Sequence, residues 1–327
     1  MVIFLDFGVR SFETGPDVSV APEVRRNLEH LCEVAYPALP WYGRGVPPPL
    51  LQQVDKHEKG GICFVAGAGR IVAAHGFHEM ETKNRLTSWG PACEPGHEVL
   101  ARPLIQDLLE RGRVLGKERV VVVLRGEPGG EDARWYIEQH SNAGIPVIMT
   151  RLDMEADVTQ VKLRDIPEPA GSVWQPVDVS KLDEFLPLYG EVFATSESPL
   201  TRSWAQRIEE RRWWFEQMAQ GEEGELVPGG WATLIINGKP AGFVLLTMED
   251  SRTAHISDLG LVHAARGRHL GWVLMARAVA MAKKAGATRL GLGVEIENRV
   301  AIRLYEAAGF RTASRTTVLL KYLDARG

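Results

Sequence analysis

The most informative run of the chain lies between His255 and Ala285. His255–Val262 (HISDLGLV) is β-branched and apolar enough to form a strand. It feeds a turn, Ala264–Gly271, and then a helix in which Leu274, Ala278 and Met281 recur at i, i+4 and i+7. A strand, a glycine- and arginine-bearing turn and a helix N-terminus together make an anion site. The first helical N–H groups lack intrahelical partners and the macrodipole is positive there. Gly267 and Gly271 allow close backbone approach, and Arg266 and Arg268 add charge-assisted donors. Pyrophosphate suits this chemistry, and the six residues Arg266, Gly267, Arg268, His269, Leu270 and Gly271 would hold it. A surface turn with solvated arginines would use the same residues.

Downstream, a strand over Arg289–Val294 is followed by Glu295–Asn298, a short helix over Arg299–Ala308, and Gly309-Phe310. With this segment the chain resembles the GNAT superfamily of acyl-CoA-dependent N-acyltransferases. The Arg/Gln-x-x-Gly-x-Gly/Ala loop is represented by Arg266–Gly271, with His269 standing where the family has glycine. The Asn-x-x-Ala-x-x-Leu-Tyr-x-x-x-Gly-Phe motif is met by Asn298, Ala301, Leu304, Tyr305, Gly309 and Phe310.

The resemblance implies acetyl-CoA as cosubstrate, no metal, and direct attack by a primary amine of a small molecule in a ternary complex. Pantetheine would lie in a gap between the strands before and after the loop. Main-chain groups of Gly260, Leu261 and Val262 would pair with it, one N–H polarising the thioester carbonyl. Tyr305 matches the general acid for the leaving thiolate; a phenol, with a pKa near ~10, is protonated at neutral pH. Asn298 matches a residue that bonds main chain or pantetheine, and it is equally placed as an N-cap. Arg303, with Arg299, is in reach of nucleotide phosphates or sits on a solvated face.

For the general base the family places a carboxylate on the strand before the loop, which singles out Asp258. His255, three residues earlier, should point to the opposite face, so that only one of the two faces the cleft. A structural Asp258, with the amine losing its proton to solvent, is the alternative. Acceptor walls would come from helices over Lys181–Phe193 and Thr201–Gln220. The adjacent Trp213 and Trp214 cannot share one helical face, so at least one is turned to a cleft, another domain or solvent. An apolar or aromatic acceptor lined by Arg202, Arg207, Arg211 and Arg212 would fit.

These elements occur twice. Ile62–Val65 and Ile71–Phe77 flank Gly67–Gly69, as Trp231–Ile236 and Ala241–Thr247 flank Asn237-Gly238, a strong hairpin signal. Helices over Val99–Leu115 and Trp272–Ala285 lead into strands over Arg119–Leu124 and Arg289–Val294. Gly69 lies 50 residues before Arg119, and Gly238 lies 51 before Arg289. The expected fold is α/β (α+β): two GNAT-like domains, each a mixed, mostly antiparallel sheet flanked by helices. The Pro167-x-Pro169-x-Gly171 stretch marks a linker, dividing the chain into a degenerate, non-catalytic domain over 1–160 and a catalytic one over 173–327. The first copy has Glu94 and Glu98 where a pyrophosphate would sit, and His140, four residues before Gly144, where the tyrosine should be. Such a tandem with one weakened copy is similar to the arrangement of mycothiol synthases and some antibiotic-modifying acetyltransferases.

Composition sets the outer bounds. The chain has 327 residues, a formal net charge of −4 and 45% hydrophobic residues, which are globular values for two domains. No basic tract marks a nucleic-acid partner, and no apolar run approaches the ~20 residues that span a bilayer. The N-terminus lacks a signal-peptide pattern. Cys32, Cys63 and Cys93 are widely spaced, form no disulfide framework or metal motif, and suit a reducing, cytoplasmic setting. A monomer or homodimer is expected. Two further readings remain: a non-catalytic acyl-CoA-binding or regulatory protein, and a protein N-terminal acetyltransferase.

Overall fold

A computed structural model describes residues 10–14, 20–35, 60–67, 69–80, 84–126, 131–221 and 224–323. In chain order the first elements are β1 (Arg10–Thr14), α1 (Pro22–Ala35), β2 (Gly60–Gly67), β3 (Arg70–Met80) and β4 (Arg85–Cys93). They are followed by α2 (Ala101–Val114), β5 (Arg119–Gly126), α3 (Glu131–Asn142) and β6 (Val147–Asp157). After a stretch without regular structure come β7 (Ser172–Pro176), α4 (Leu182–Phe193), α5 (Pro199–Gln206) and α6 (Ile208–Ala219). Next are β8 (Glu225–Leu226), β9 (Ala232–Ile236), β10 (Lys239–Met248), β11 (Thr253–Leu261) and α7 (Leu270–Lys284). The last are β12 (Arg289–Glu295), α8 (Arg299–Ala307) and β13 (Arg311–Tyr322).

The chain forms two compact units, one of residues 1–150 with 314–327 and one of residues 151–313. The division therefore does not fall in the expected linker. β6, assigned from sequence to the first half, pairs along 151–157 with β12 in the second unit. The C-terminal β13 pairs antiparallel with β5 in the first. Each unit thus takes its last strand from the chain of the other half.

Within each unit the plan is the same. The first has the strand order β1-β2-β3-β4-β5-β13, and the second β7-β9-β10-β11-β12-β6, with β8 also on β10. All neighbours are antiparallel except β4 with β5 and β11 with β12. The hairpins agree in register down to their irregularity. Gly67↔Arg70, Val65↔Ala73 and Cys63↔His75 match Ile236↔Lys239, Leu234↔Gly242 and Ala232↔Val244, and each slips by one residue at the same place. The second hairpin turns through Asn237 and Gly238 at φ of 51° and 76°, the left-handed pair that a two-residue type I′ loop requires.

Helices pack on both faces of the second unit's sheet. Val244, Leu246, Ala254 and Ile256 meet Met275, Ala278 and Val279 of α7 and Ile302 of α8. Phe243 and Leu245, alternating with them along β10, join Phe185, Tyr189, Phe215 and Met218 from α4 and α6. Burying aliphatic and aromatic side chains of this size contributes ~1.5–3 kcal/mol each relative to exposure. The helix expected over Thr201–Gln220 is two helices, α5 and α6, broken at Arg207 (φ −89°, ψ 79°). No proline or glycine announces that break.

Candidate active site

The parallel pairing of β11 with β12 runs only from Thr253↔Arg289 to Ile256↔Leu292, although β11 continues to Leu261 and β12 to Glu295. The two strands have parted, leaving the C-terminal half of β11 with one bonded edge and one open edge. Val262 N–H is spent on Ala241 O at 3.0 Å, toward β10. By the alternation of strand amides, Leu261 N–H then faces the gap. Of the three main-chain positions expected to meet pantetheine, Val262 and, by the same alternation, Gly260 are thus withdrawn as donors.

A bulge re-aims the residues just before the gap. Leu246 pairs with Ile256 and Leu245 with Asp258, which leaves Ser257 as the extra residue of β11. The slip changes the parity of the strand. His255, opposite Thr247, and Asp258, opposite Leu245, consequently lie on the same face, contrary to the expectation from their spacing. They are separated by their partners instead. His255 Nδ1 stands 3.0 Å from Glu249 Oε1, drawn toward the β10–β11 turn. Asp258 Oδ2 accepts from the Tyr189 hydroxyl of α4 at 3.4 Å. Its charge also reaches Tyr305 of α8.

Both tyrosines are buried and both phenols are pushed above the ordinary range, first by desolvation and then by the negative charge of Asp258. Each shift favours the protonated phenol. A carboxylate whose charge reaches two neutral phenols can take a proton while a phenol remains as a donor. Tyr189 was not legible as a site residue, because its spacing in α4 is that of an ordinary core position. Glu295, at the end of β12, accepts from Thr201 Oγ1 of α5 and is a second carboxylate near the parting strands that sequence reasoning passed over.

The turn after β11 has the shape of an anion cradle. Gly267 has φ of 75°, with nothing within 4 Å of where a Cβ would stand. His269, the N-cap of α7, is left-handed at φ 59° and makes no side-chain capping bond. A Cβ on Gly271 would come within 2.9 Å of Leu304 Cδ1, so glycine there sets the packing of α7 on α8. The uncapped first turn of a 15-residue helix and the open backbone fit a pyrophosphate.

Arg266 does not serve that turn as expected. Its Nε donates to Leu261 O at 3.1 Å, Nη1 to Thr195 Oγ1 at 3.0 Å and Nη2 to Val192 O at 2.7 Å. It ties the end of α4 to the end of β11, while Arg268 is exposed and takes no part in those bonds. Arg266→Ala should therefore act first on stability, lowering Tm by several degrees. Arg266→Lys should not rescue it, since one ammonium cannot span three separated acceptors; a thermal melt of the three proteins checks this.

A non-glycine residue in the left-handed region costs ~1–2 kcal/mol. His269→Gly should therefore raise Tm by about 2–4 °C for each kcal/mol relieved, and tighten acetyl-CoA binding by clearing the imidazole from the turn. Calorimetry of the variant reads both.

The remaining sequence candidates divide. Asn298 Oδ1 accepts from Ala301 N at 3.2 Å, so the side chain caps α8. Arg303 is exposed on that helix. Trp214 packs edge-on against Phe215 and Trp204, while Trp213 is half-buried on another side of α6. The arginines expected to line an acceptor pocket are engaged within the unit. Arg211 is buried and donates to Leu186 O at 2.9 Å. Arg212 bonds Asp183, Arg207 bonds Glu210 at 3.0 Å, and Arg202 bonds Ser196 O and Glu197 O.

The first unit keeps the framework but carries different residues at the corresponding positions. β4 and β5 pair only from Arg85↔Arg119 to Ser88↔Val122, so the same parting of strands is present. Two residues past the last parallel pair, where the second unit has Asp258, stands Gly90. Glu94 is clamped by Arg70 Nε and Nη2 at 2.8 and 2.9 Å, which lowers its pKa. Glu98 Oε1 accepts from Gly96 N at 2.9 Å, occupying an amide of the turn. His140 takes the place of Tyr305 within its own unit: Ile145 N bonds His140 O as Phe310 N bonds Tyr305 O, at 2.9 and 3.0 Å. Burial lowers its pKa to about 4, so it is a neutral core imidazole at pH 7.

Residues 187–310 match the acetyltransferase (GNAT) family. The chain carries a GNAT acetyltransferase domain. That match takes in the part of α4 that holds Tyr189, the parting strands, the turn and Tyr305. A mycothiol acetyltransferase of Clavibacter michiganensis is 25% identical over 227 residues, covering 64% of this chain and 69% of the relative. An uncharacterised N-acetyltransferase of Methanocaldococcus jannaschii is 31% identical over 137 residues. The match takes in 39% of this chain and 56% of that relative's length.

Among solved structures, a tandem GNAT protein from the clavulanic acid biosynthesis pathway shares the fold across 97% of this chain and 99% of its own. Its TM-score is 0.59 and its identity 14%. A GCN5-related N-acetyltransferase from Sphaerobacter thermophilus does so across 96% of both chains, with a TM-score of 0.64 and 16% identity. The tandem GNAT fold therefore extends over both units. No described helix is long and apolar enough to cross a membrane.

Proposed function

We propose that the GNAT domain moves an acetyl group from acetyl-CoA to a primary amine of a small molecule, by direct attack in a ternary complex within residues 151–313. What supports this reading is Asp258, re-aimed by the Ser257 bulge, accepting from the Tyr189 hydroxyl and reaching Tyr305 with its charge, beside strands that part. When acetyl-CoA is bound, its thioester supplies the electrophile. Leu261 N–H is the main-chain donor for the thioester carbonyl, where negative charge develops. Asp258, directly or through one water, accepts the proton of the attacking amine, and Tyr305 donates to the departing thiolate. Gly267, Arg268, His269, Leu270 and Gly271 hold the pyrophosphate at the N-terminus of α7, with Arg303 on the nucleotide side.

Tyr189 holds the carboxylate of Asp258 from the α4 side. Trp213 is the aromatic residue of α6 offered to the acceptor. The first unit is a non-catalytic copy, since its turn amide and its turn charge are both engaged within it. Relatives named for mycothiol acetylation favour a small-molecule acceptor over a protein terminus.

Incubation of the full chain with labelled acetyl-CoA and a library of small amines tests the reading. Label transfer to an amine, lost in Asp258→Asn, supports it. Binding of acetyl-CoA without transfer to any amine would instead mark an acyl-CoA-binding protein.

A further inference from the structure

The first unit contains a polar cluster that acetyl transfer does not use. Cys63 of β2 and His75 of β3 are direct cross-strand partners, so their side chains share one face. Asp107 of α2 lies over that pair. Sγ, an imidazole nitrogen and a carboxylate oxygen of the three all lie within 4.8 Å of one another. All three residues are essentially fully buried, at 0, 1 and 0% exposure. His75 Nε2 is 3.6 Å from Asp107 Oδ2, too long for a hydrogen bond. Neither ring nitrogen of His75 has a hydrogen-bond partner, and neither has Asp107 Oδ1. Leaving such atoms buried and unpaired is costly, and native proteins rarely do it three times in one place.

The second unit supplies an internal control. At the same register position of its hairpin the pair is Ala232↔Val244, buried and apolar. The fold therefore does not need polar groups there, and Cys63 and His75 are particular to the first unit. Its neighbour Arg111 completes the arrangement. Its Nε donates to Asp107 Oδ2 at 2.7 Å, which fixes the carboxylate and leaves Oδ1 available. An outer partner that orients a carboxylate in this way is typical of metal sites.

We propose that Cys63, His75 and Asp107 bind a single divalent ion of the zinc class. Sulfur, imidazole and carboxylate together suit zinc or cobalt rather than calcium or magnesium, which prefer all-oxygen shells. Ligand atoms about 3.3–3.8 Å apart are what bonds of ~2.0–2.3 Å at tetrahedral angles produce; the three groups lie within 4.8 Å of one another, so a bound ion would draw them together. On loading, the Cys63 S–H bond breaks, its proton leaves to solvent, and sulfur donates its electron pair to the ion; no oxidant or reductant is involved. The ion would tie β2, β3 and α2 together, a structural role separate from the acetyl-transfer site.

The test uses the full chain, stripped with chelator and then reloaded. Zn²⁺ should be retained through desalting at one ion per chain, raise Tm by several degrees, and release a proton on binding. Co²⁺ should give a near-ultraviolet thiolate-to-metal charge-transfer band. Cys63→Ser, nearly isosteric, should abolish the band and weaken binding at least tenfold, while Cys93→Ser, buried outside the cluster, should keep both. Three results would overturn the proposal: no retained ion, Co²⁺ bound without the charge-transfer band, or a band that survives Cys63→Ser. Circular dichroism of the two serine variants guards against misfolding as the cause of any loss.

Discussion

Tyr305→Phe is expected to lower kcat roughly 100- to 10,000-fold, the usual contribution of a positioned acid, while acetyl-CoA binds nearly as before. The phenol is buried in the core beside Phe310, and the substitution removes one oxygen without opening a cavity. Fold and cofactor affinity should therefore survive, and steady-state kinetics with calorimetric binding separates the two effects. Burial, and then the charge of Asp258, push this phenol's pKa upward. A raised pKa keeps the group protonated at every pH below it, so the parent enzyme should lose no kcat through Tyr305 on the alkaline side up to about pH 10. Equal losses in kcat and in acetyl-CoA affinity would make Tyr305 a packing residue only.

Gly242→Ala is expected to damage the second unit's sheet strongly. A Cβ at Gly242 of β10 would stand 2.4 Å from Gly260 O, 2.7 Å from Leu261 Cδ2 and 3.2 Å from Leu261 Cα. The first and last of these belong to backbone, which cannot rotate away as a side-chain tip can. β10 and β11 must separate locally, just where Leu261 N–H is held toward the gap. Overpacking costs about 1–3 kcal/mol, which for a unit of this size lowers Tm by roughly 2–12 °C. Displacement of Leu261 should reduce kcat as well. A melt and an activity assay on the same preparation check both. Parental Tm and kcat in the Gly242→Ala variant would show that β11 has slack at this point.

Much of this architecture is written locally in the chain. The Asn237-Gly238 turn, the apolar stripe of α7 and the Asn298-to-Phe310 motif depend on neighbours within a few residues, and each is found where expected. The exchange of β6 and β13 was not legible, because it is decided by pairing between strands far apart in the chain. The bulge at Ser257 was hidden for a related reason. No glycine or proline marks it, and the slip exists only relative to β10, yet it decides that His255 and Asp258 share a face. Arg266 shows a further limit. Its position in the motif is as expected, but the carbonyls left by the end of α4 and by Leu261 capture its guanidinium. Residue type and spacing carry the backbone plan of the turn; the partners of a long flexible side chain are settled by packing.

The proposed function requires a single acetyl-transfer site, and requires it to lie in the second unit. Calorimetric titration of the full chain with acetyl-CoA, repeated on Gly267→Asp, tests this most directly. The substitution puts a negative charge and a side chain into an open left-handed position of the turn. One acetyl-CoA per chain is expected in the parent and none in the variant. Two per chain, or undiminished binding in Gly267→Asp, would contradict it.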